Sequence, residues 1–440
     1  MKFSPINREI LTLSLPSIVT NITTPLLSLV DITIVGHMGA PGHIAAIALG
    51  GTMFNMLYWM FGFLRMGSSG MTAQAYGANN AVAQSRILIL ALAIAFLAGM
   101  TIVILQGPIA HTVLHFMSTD AEDAQALALR YFNICVWGAP AVLGTYALSG
   151  WFLGMQNSRI PMWVSIIINV SNITISLALV YWLDYGFDGV AIGTLIAQWC
   201  GLVAAIVMGL KQFGRPRLSF NQAIEWSTIK RFFTINFDIF LRTICLVAVT
   251  MWFTRTGASQ GSVMLAANTL LMQFFTFFSF FMDGFAYAGE ALCGKYSGAR
   301  RDAKLRDCIK TLFQWSVSLA VFFAISYFFF GKIILNMLSD ESSVTSAATN
   351  YIIWVVFIPL AGVMAFSWDG IFIGLTRTRP MLLSMLGATA LFFIFCQLTI
   401  SEIGNNGLWL SFIIYLLTRG LILTFIFYKK SQHKHHIRKY

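Results

Sequence analysis

The chain has 440 residues, of which 58% are hydrophobic and only 10% charged, and its formal net charge is +11. Soluble domains carry about 25% charged residues, so this composition excludes an ordinary water-soluble protein. Apolar runs of about 20 residues recur from end to end, which is typical of a polytopic membrane protein made of helices.

We predict twelve membrane-spanning helices. They lie near residues 10–36, 44–76, 87–107, 126–153, 160–183, 188–210, 229–254, 262–293, 310–337, 351–375, 380–400 and 405–428. No small-residue cleavage site follows the first apolar run, so we interpret it as a retained helix and not as a signal peptide.

The basic residues predict the orientation of these spans. With the N-terminus in the cytoplasm, the cytoplasmic ends hold 22 of the 28 Lys and Arg residues, and the outer loops keep only Arg255 and Lys332. Because cytoplasmic loops of membrane proteins are enriched in basic residues, we place both termini in the cytoplasm. The same distribution explains the net charge without a nucleic-acid partner.

The first span carries a polar stripe that ends in an acid. Six polar residues recur at spacings of 3, 4, 3, 4 and 3, which places them on one helical face: Ser14, Ser17, Asn21, Thr24, Ser28 and Asp31. Pro16 and Pro25 each remove one backbone hydrogen bond and favour a bend. A carboxylate in the hydrocarbon layer costs several kcal/mol and usually has a function. We therefore predict that this helix moves and that Asp31 takes part in function.

Short local patterns of the first half recur in the same order in the second, which predicts two related halves. Gly77-Ala78 matches Gly298-Ala299 at an offset of 221, and Pro161-Met162 matches Pro380-Met381 at 219. Six spans in each half give the halves the same orientation in the membrane. We predict an N-terminal lobe (1–210), a cytoplasmic linker (211–231), a C-terminal lobe (232–428) and a basic tail (429–440), with the two six-helix lobes facing a central cleft.

A second group of charged residues lies toward the cytoplasmic side of the spans. Asp238 and Arg242 are at positions i and i+4 of one helix and can pair across one turn. We predict a charge network, serving either as a gate between the lobes or as a structural tie between helices, from Arg65, Asp238, Arg242, Asp283 and Asp369.

Asp31 differs from this network because no base lies at its depth on the same helix. Burial disfavours an ionised carboxyl, so such a group can take up and release a proton near neutral pH. With converging oxygens it can instead hold a small hard cation. Tyr131, Thr194 and the fifth-span stripe of Ser165, Asn169, Asn172 and Ser176 could supply those oxygens.

The sequence contains no motif for an enzyme. It has no P-loop, no HExxH and no histidine inside a span, so transport would draw on an ion gradient. The six cysteines lack metal-ligand spacing and are interpreted as apolar packing residues. We expect no cofactor and no bound metal.

Several segments resemble the multidrug and toxic compound extrusion (MATE) family, in its DinF branch. They include VDITIVGHMG around Asp31, FGFLRMGSSGMTAQAYGA (61–78), NVSNITI (169–175), DIFLRT (238–243), MDGFAYAGEALCG (282–294) and DGIFIGLTRTRPM (369–381). The resemblance covers nearly the whole chain. It implies two six-helix lobes, a V-shaped cleft, and antiport of organic compounds against H⁺ or Na⁺.

The resemblance also implies a cation or proton site in the first lobe. By position, the family's residues become Asp31, Tyr131, Asn172, Ser176 and Thr194, with Pro16 as the bending proline and Asp369 as the second acid that some relatives use. Relatives commonly have Asp where this chain has Ser176. One carboxylate binds Na⁺ poorly but still titrates, so proton coupling is favoured over Na⁺ coupling.

The sequence therefore predicts a monomeric exporter of amphipathic or cationic compounds in the bacterial cytoplasmic membrane. The alternatives are Na⁺-coupled export by the same fold, and a flippase for a lipid-linked precursor. The flippase would need a strongly cationic cleft, for which only Arg65 and Arg242 are deep candidates. A scaffold without transport is disfavoured by the cost of burying Asp31.

Overall fold

The computed structural model describes residues 4–36, 41–116, 122–216 and 225–437. Part of the predicted linker (217–224) and the end of the predicted tail (438–440) lie outside the described residues. Within those ranges the chain is helical and contains no strand, which confirms the predicted all-α fold.

Sixteen α-helices make up the described chain. They are α1 (Pro5–Gly36), α2 (Pro41–Met60), α3 (Phe63–Gly77), α4 (Ala81–Ile104), α5 (Gln106–Phe116), α6 (Glu122–Cys135), α7 (Ala139–Gly154), α8 (Arg159–Leu177), α9 (Gly186–Phe213), α10 (Trp226–Ser259), α11 (Ser262–Gly298), α12 (Asp302–Leu338), α13 (Ser342–Thr349), α14 (Ile352–Gly374), α15 (Thr378–Ile403) and α16 (Asn405–Ile437).

Twelve segments of the described chain are long and apolar enough to cross a membrane, which confirms the predicted number. Two of them are interrupted. The second, Gly42–Gly77, consists of α2 and α3 and breaks at Phe61–Gly62. The fourth, Gln125–Gly154, consists of α6 and α7, which a short 3-10 turn at Val136–Gly138 separates. Periodicity alone did not indicate either break.

The internal repeat appears in the backbone of matching turns. After α3, Asn79 has a left-handed φ of 52°, and after α11, at the position that the repeat makes equivalent, Arg300 has a φ of 55°. The turns after α7 and α14 form a second such pair, with φ of 65° at Gln156 and 52° at Thr376. L-residues other than Asn and Asp rarely adopt this conformation, so its recurrence at equivalent positions reflects a shared turn.

The repeat also appears in how helices cross. A Cβ added at Gly150 on α7 would clash with the backbone carbonyl of Arg65 on α3, and one added at Gly370 on α14 would clash with that of Ala286 on α11. Gly370 and Ala286 occupy the positions that the repeat makes equivalent to Gly150 and Arg65. Only glycine permits such close backbone contact. The two crossings therefore pack α7 on α3 and α14 on α11 in the same way.

The described chain groups into two compact units, Leu15–Asn236 and a second formed by Phe237–Tyr440 together with Met1–Ser14. The helices that open the two halves, α1 and α10, are therefore each divided between the units. In the second unit, Glu9 of α1 accepts hydrogen bonds from Lys295 (3.0 Å) and Tyr296 (2.7 Å) of α11. The first turns of α1 are thus held by the C-terminal half of the sequence.

The first unit contains the reciprocal contact. Arg231, near the start of α10, donates to Oε1 of Gln74 on α3 at 2.7 Å. Lys295 and Gln74 are 221 residues apart, which is the offset of the repeat in this region, so α1 and α10 contact equivalent positions of α11 and α3. One contact is an ion pair and the other is not.

Candidate functional site: a carboxylate among neutral donors

Asp31 lies near the end of α1 and is buried, with only 3% of its surface exposed. Its Oδ2 accepts a hydrogen bond from Thr194 Oγ1 of α9 at 3.1 Å and a longer one from the Tyr131 hydroxyl of α6 at 3.4 Å. Asn172 of α8 donates to Thr194 Oγ1 at 2.8 Å, so the threonine connects the amide to the carboxylate. Four helices of the first unit therefore converge on one acid.

The close packing of α8 against α9 positions two of these side chains. A Cβ added at Gly193 would clash with Ser176 Oγ, so the glycine before Thr194 lets the two helices approach at this level. Two residues after Ser176, α8 passes into a π-helical stretch at Ala178–Trp182. Such local widenings of a helix are frequent at functional sites.

Three buried oxygens at this site have no hydrogen-bond partner in the described structure. They are Asp31 Oδ1, Asn172 Oδ1 and Ser176 Oγ. No described basic side chain forms an ion pair with Asp31. Since an unpaired buried carboxylate is costly, the site is suited to bind a proton or a cation and then release it.

The structure brings together the sequence-predicted residues of the first lobe. Asp31, Tyr131, Asn172 and Thr194 form one hydrogen-bonded group, and buried Ser176 lies on the same helix as Asn172, one turn further on. Ser165, from the same predicted stripe, instead shares a hydrogen bond with Thr23 at 2.8 Å. Gly193 and the π-helical stretch were not predicted, and the only sequence signal for the glycine is its place in the segment GVAIGT (189–194), directly before Thr194.

Pro16 lies inside α1, which runs unbroken through both of its prolines. The border between the two compact units falls between Ser14 and Leu15, directly before this proline. A proline in the helix interior removes one backbone hydrogen bond, so α1 lacks one close to the border between the units, as it does again at Pro25. The predicted bend stays a prediction.

The second unit holds its own buried acid, Asp369 on α14, in a different setting. Both Arg242 of α10 and Arg419 of α16 donate to Asp369 Oδ2, the second at 2.5 Å. The Arg419 guanidinium also lies 5.7 Å from the ring centre of Tyr415. Arg242 and Asp369 were both predicted members of the charge network, whereas Arg419 was not.

The other members of the predicted network have different partners. Asp238 accepts hydrogen bonds from Thr378 (2.9 Å) and Arg379 (3.2 Å) of α15, and no hydrogen bond or ion pair to Arg242 is found in the described structure. Asp283 is half-buried on α11, whereas Arg65 lies on α3 in the first unit. A single network of all five residues stays a prediction.

Other residues that could ligate a metal are dispersed. Among the described residues, no three or more His, Cys, Asp or Glu side chains are grouped to hold an ion. The six cysteines carry free thiols, four of them buried.

Comparison with known proteins places this chain in one family. A family model described as MatE matches residues 16–178 and again residues 235–398. The two matched segments coincide with the two halves that the repeated turns and crossings define.

Similar proteins extend the match along the whole chain. The DNA damage-inducible protein F of Escherichia coli (strain K12) is 36% identical over 94% of this chain and 90% of its own length. A probable multidrug resistance protein NorM of Bacillus cereus is 22% identical over 94% of this chain and 93% of its own. A crystal structure described as MATE in the bent conformation superposes with a TM-score of 0.89, covering 98% of this chain and 97% of that one at 16% identity.

This chain belongs to the MatE family and is a multidrug and toxin efflux transporter of the membrane. Members of the family are transporters and not enzymes. They couple transport to ion gradients and need no cofactor.

Proposed function

We propose that this protein exports amphipathic or cationic organic compounds in exchange for H⁺, and that Asp31 carries the proton. The observation that supports this most is the setting of Asp31, which is buried among neutral donors with one oxygen unpartnered. A lone carboxyl without a basic partner changes its charge whenever it gains or loses a proton. It therefore supplies one coupling charge per cycle.

In this proposal the proton changes the hydrogen bonds that hold α1. The ionised carboxylate accepts from Thr194 and Tyr131, and charge-assisted bonds of this kind are stronger than neutral ones. Protonation weakens both, which loosens the Asp31 end of α1 from α6 and α9. The helix then bends at Pro16, where one backbone hydrogen bond is already absent.

The anchoring of α1 gives this bend a consequence. Its first turns are tied to α11 through Glu9 and to α12 through Asn7, whose Oδ1 accepts from Trp315 Nε1 at 2.8 Å. A bend at Pro16 moves the Asp31 end relative to these anchored turns. We propose that this links proton binding to alternating access, in a monomer with both termini in the cytoplasm.

Na⁺ coupling is the second candidate. The unpartnered oxygens of Asp31, Asn172 and Ser176 would suit a hard cation, which prefers oxygen ligands. Against it, Ser176 supplies no second negative charge. The two candidates differ in which imposed gradient drives export.

The test uses proteoliposomes containing the full chain and a fluorescent organic cation, ethidium, with a pH or a Na⁺ gradient imposed alone. Export driven by the pH gradient, and reduced to the level of empty vesicles by Asp31→Asn, is the expected result. Asp340→Asn is the matched control, because Asp340 is an exposed acid between α12 and α13. Export driven only by Na⁺, or unchanged in Asp31→Asn, would overturn proton coupling at this residue.

The Na⁺ alternative has a test of its own at Ser176. Ser176→Asp adds the second carboxylate, and Ser176→Asn adds the same bulk without charge. We expect Na⁺-driven export to appear only in Ser176→Asp. Na⁺-driven export that is already present in the unmodified protein would favour the second candidate instead.

A further inference from the structure

The group formed by Arg242, Asp369 and Arg419 is not neutral. Two guanidinium groups share one carboxylate oxygen, so three formal charges sum to +1. The nearest acid along α10, Asp238, lies one turn before Arg242 and is already bonded to Thr378 and Arg379. Arginine keeps its proton in proteins, so this excess charge is permanent.

The excess positive charge is buried, so water solvates it poorly. The side chain of Arg419 is 3% exposed and that of Arg242 is 9% exposed. An uncompensated buried charge costs several kcal/mol, and charged groups inside membrane segments are rarely kept without a partner. A negatively charged ligand would supply that partner.

Both arginines also have N–H groups that no hydrogen bond to Asp369 uses. The Nε–H groups of Arg242 and Arg419 are buried and have no hydrogen-bond partner in the described structure. A guanidinium presents its N–H groups as a planar fork that matches the oxygens of a carboxylate. The Asp369 side chain keeps 12% of its surface exposed, so the group is not completely sealed.

The surrounding helices hold these donors in place. A Cβ added at Gly420, next to Arg419, would lie 2.5 Å from Met364 Cβ, so α16 packs tightly on α14 beside Asp369. The Arg419 guanidinium lies near the rings of Tyr415 and Phe366, at 5.7 and 5.9 Å from their centres. These contacts restrict the side chain and lower the ordering cost of binding.

We propose that Arg242 and Arg419 form a binding site for a carboxylate-sized anion in the second unit. The anion accepts hydrogen bonds from the guanidinium groups, whose N–H groups Asp369 uses only in part, and brings the charge of the group to zero. Asp369 keeps the two guanidinium groups together and, through its own negative charge, limits the affinity. The site depends on none of the residues around Asp31.

The anion has two possible sources, which share this chemistry. It is either a free small anion or the acid group of an amphipathic compound that the transporter carries. Decanoate, its uncharged analogue decanamide, and acetate separate the two. Binding of acetate indicates a free anion, whereas binding of decanoate without acetate indicates recognition of an acid group on a longer molecule.

The experiment measures binding of these three probes to the purified full chain in detergent, by calorimetry and by the shift of the melting temperature. We expect Arg419→Gln to weaken binding of the carboxylate probes by about tenfold or more, the loss typical of one hydrogen bond to a charged group. That variant keeps a neutral Arg242–Asp369 pair, which favours correct folding. Arg379→Gln is the control, because Arg379 is an arginine of the same unit that is 71% exposed and pairs with Asp238.

Asp369→Asn gives a result of the opposite sign. It raises the charge of the group to +2, so carboxylates should bind more tightly and raise the melting temperature more than in the unmodified protein. A purely structural ion-pair network predicts no such gain. Absence of carboxylate binding, equal binding by decanoate and decanamide, or equal losses in Arg419→Gln and Arg379→Gln would overturn the proposal.

Discussion

The two compact units share a scaffold but carry opposite chemistry. In the first unit, Asp31 lies among neutral donors, whereas in the second Asp369 is shared by two arginines. Yet matching turns and glycine crossings recur at equivalent positions in both. The repeated framework therefore fixes where helices cross and leaves the polar groups between them free to differ.

The positions of the second unit that correspond to Asp31 and Asn172 are apolar. At the offset of 218 that relates the two halves in this region, Asp31 corresponds to Val249, and at 219 Asn172 corresponds to Leu391. Val249 is fully buried in an apolar cluster that includes Phe253, Trp409 and Phe412. The second unit thus has a hydrophobic core where the first has its acid.

The largest effect should come from placing an acid in the apolar counterpart. We expect Val249→Asp to destabilise the protein by about 3–5 kcal/mol, because an unpaired charge would be buried among apolar side chains. Thermal melting and the yield of monodisperse protein in detergent measure this. Val249→Asn, which has nearly the shape of Asp without its charge, separates the effect of charge from that of shape.

The reverse change completes this comparison. Asp31→Val should fold with a much smaller loss of stability, since it removes a buried charge and does not create one. It should nevertheless abolish gradient-driven export. Equal stabilities of Val249→Asp and Asp31→Val would contradict the view that one position lies in an apolar core and the other in a polar site.

The next effect concerns the shared scaffold. Gly150→Ala and Gly370→Ala should each destabilise by about 1–3 kcal/mol, because the added methyl group clashes with a backbone carbonyl. Similar losses in the two variants would support one crossing geometry in both units. Gly51→Ala is the control, since a Cβ there meets nothing within 4 Å and the helix should gain about 1 kcal/mol.

A smaller effect is expected at Thr194, which links Asn172 to Asp31. Thr194→Val keeps the shape of the side chain but removes an acceptor from Asn172 and a donor from Asp31. Loss of a hydrogen bond to a charged group costs about 1.5–3 kcal/mol, so export in vesicles should fall by roughly tenfold or more. Thr23→Val loses its contacts with Ser165 and with the Thr20 carbonyl, neither of which reaches Asp31, and should leave export nearly unchanged.

The smallest effect should come from the equivalent contacts that anchor α1 and α10. Glu9→Gln breaks a surface ion pair whose partners are 37% and 27% exposed, and such pairs contribute about 0–1 kcal/mol. Glu9→Gln removes the negative charge of this contact and leaves Lys295 opposite a neutral amide. A loss of stability of more than about 2 kcal/mol on thermal melting would contradict the description of Glu9–Lys295 as a surface ion pair. It would show that the pair behaves as a buried one.

Much of the candidate site was predictable because its residues follow helical spacing. Asp31 stood out as an acid at the end of a polar stripe, and the stripe of α8 indicated Asn172 and Ser176. Gly193 and the π-helical stretch after Ser176 were not predicted, because neither has a periodic signal. The pairing of Asp238 within its own helix was expected from spacing, whereas its hydrogen bonds go to Thr378 and Arg379 of another helix.

The sequence by itself determined the helical class, the twelve spans and the repeat. These depend on hydropathy, on helical period and on short patterns that recur along the chain. Residue spacing along one helix also indicates which side chains share a face.

Only the tertiary structure decided which charges meet and which helix ends belong to which unit. Arg419 of α16 meets Asp369 of α14, and Glu9 of α1 meets Lys295 of α11, although the partners are far apart in the chain. Such contacts depend on how helices cross, which close packing at a few glycines fixes and which periodicity does not encode. For this reason one acid could be recognised from its own helix, while the ion pairs of the other, Asp369, depended on residues from two more helices.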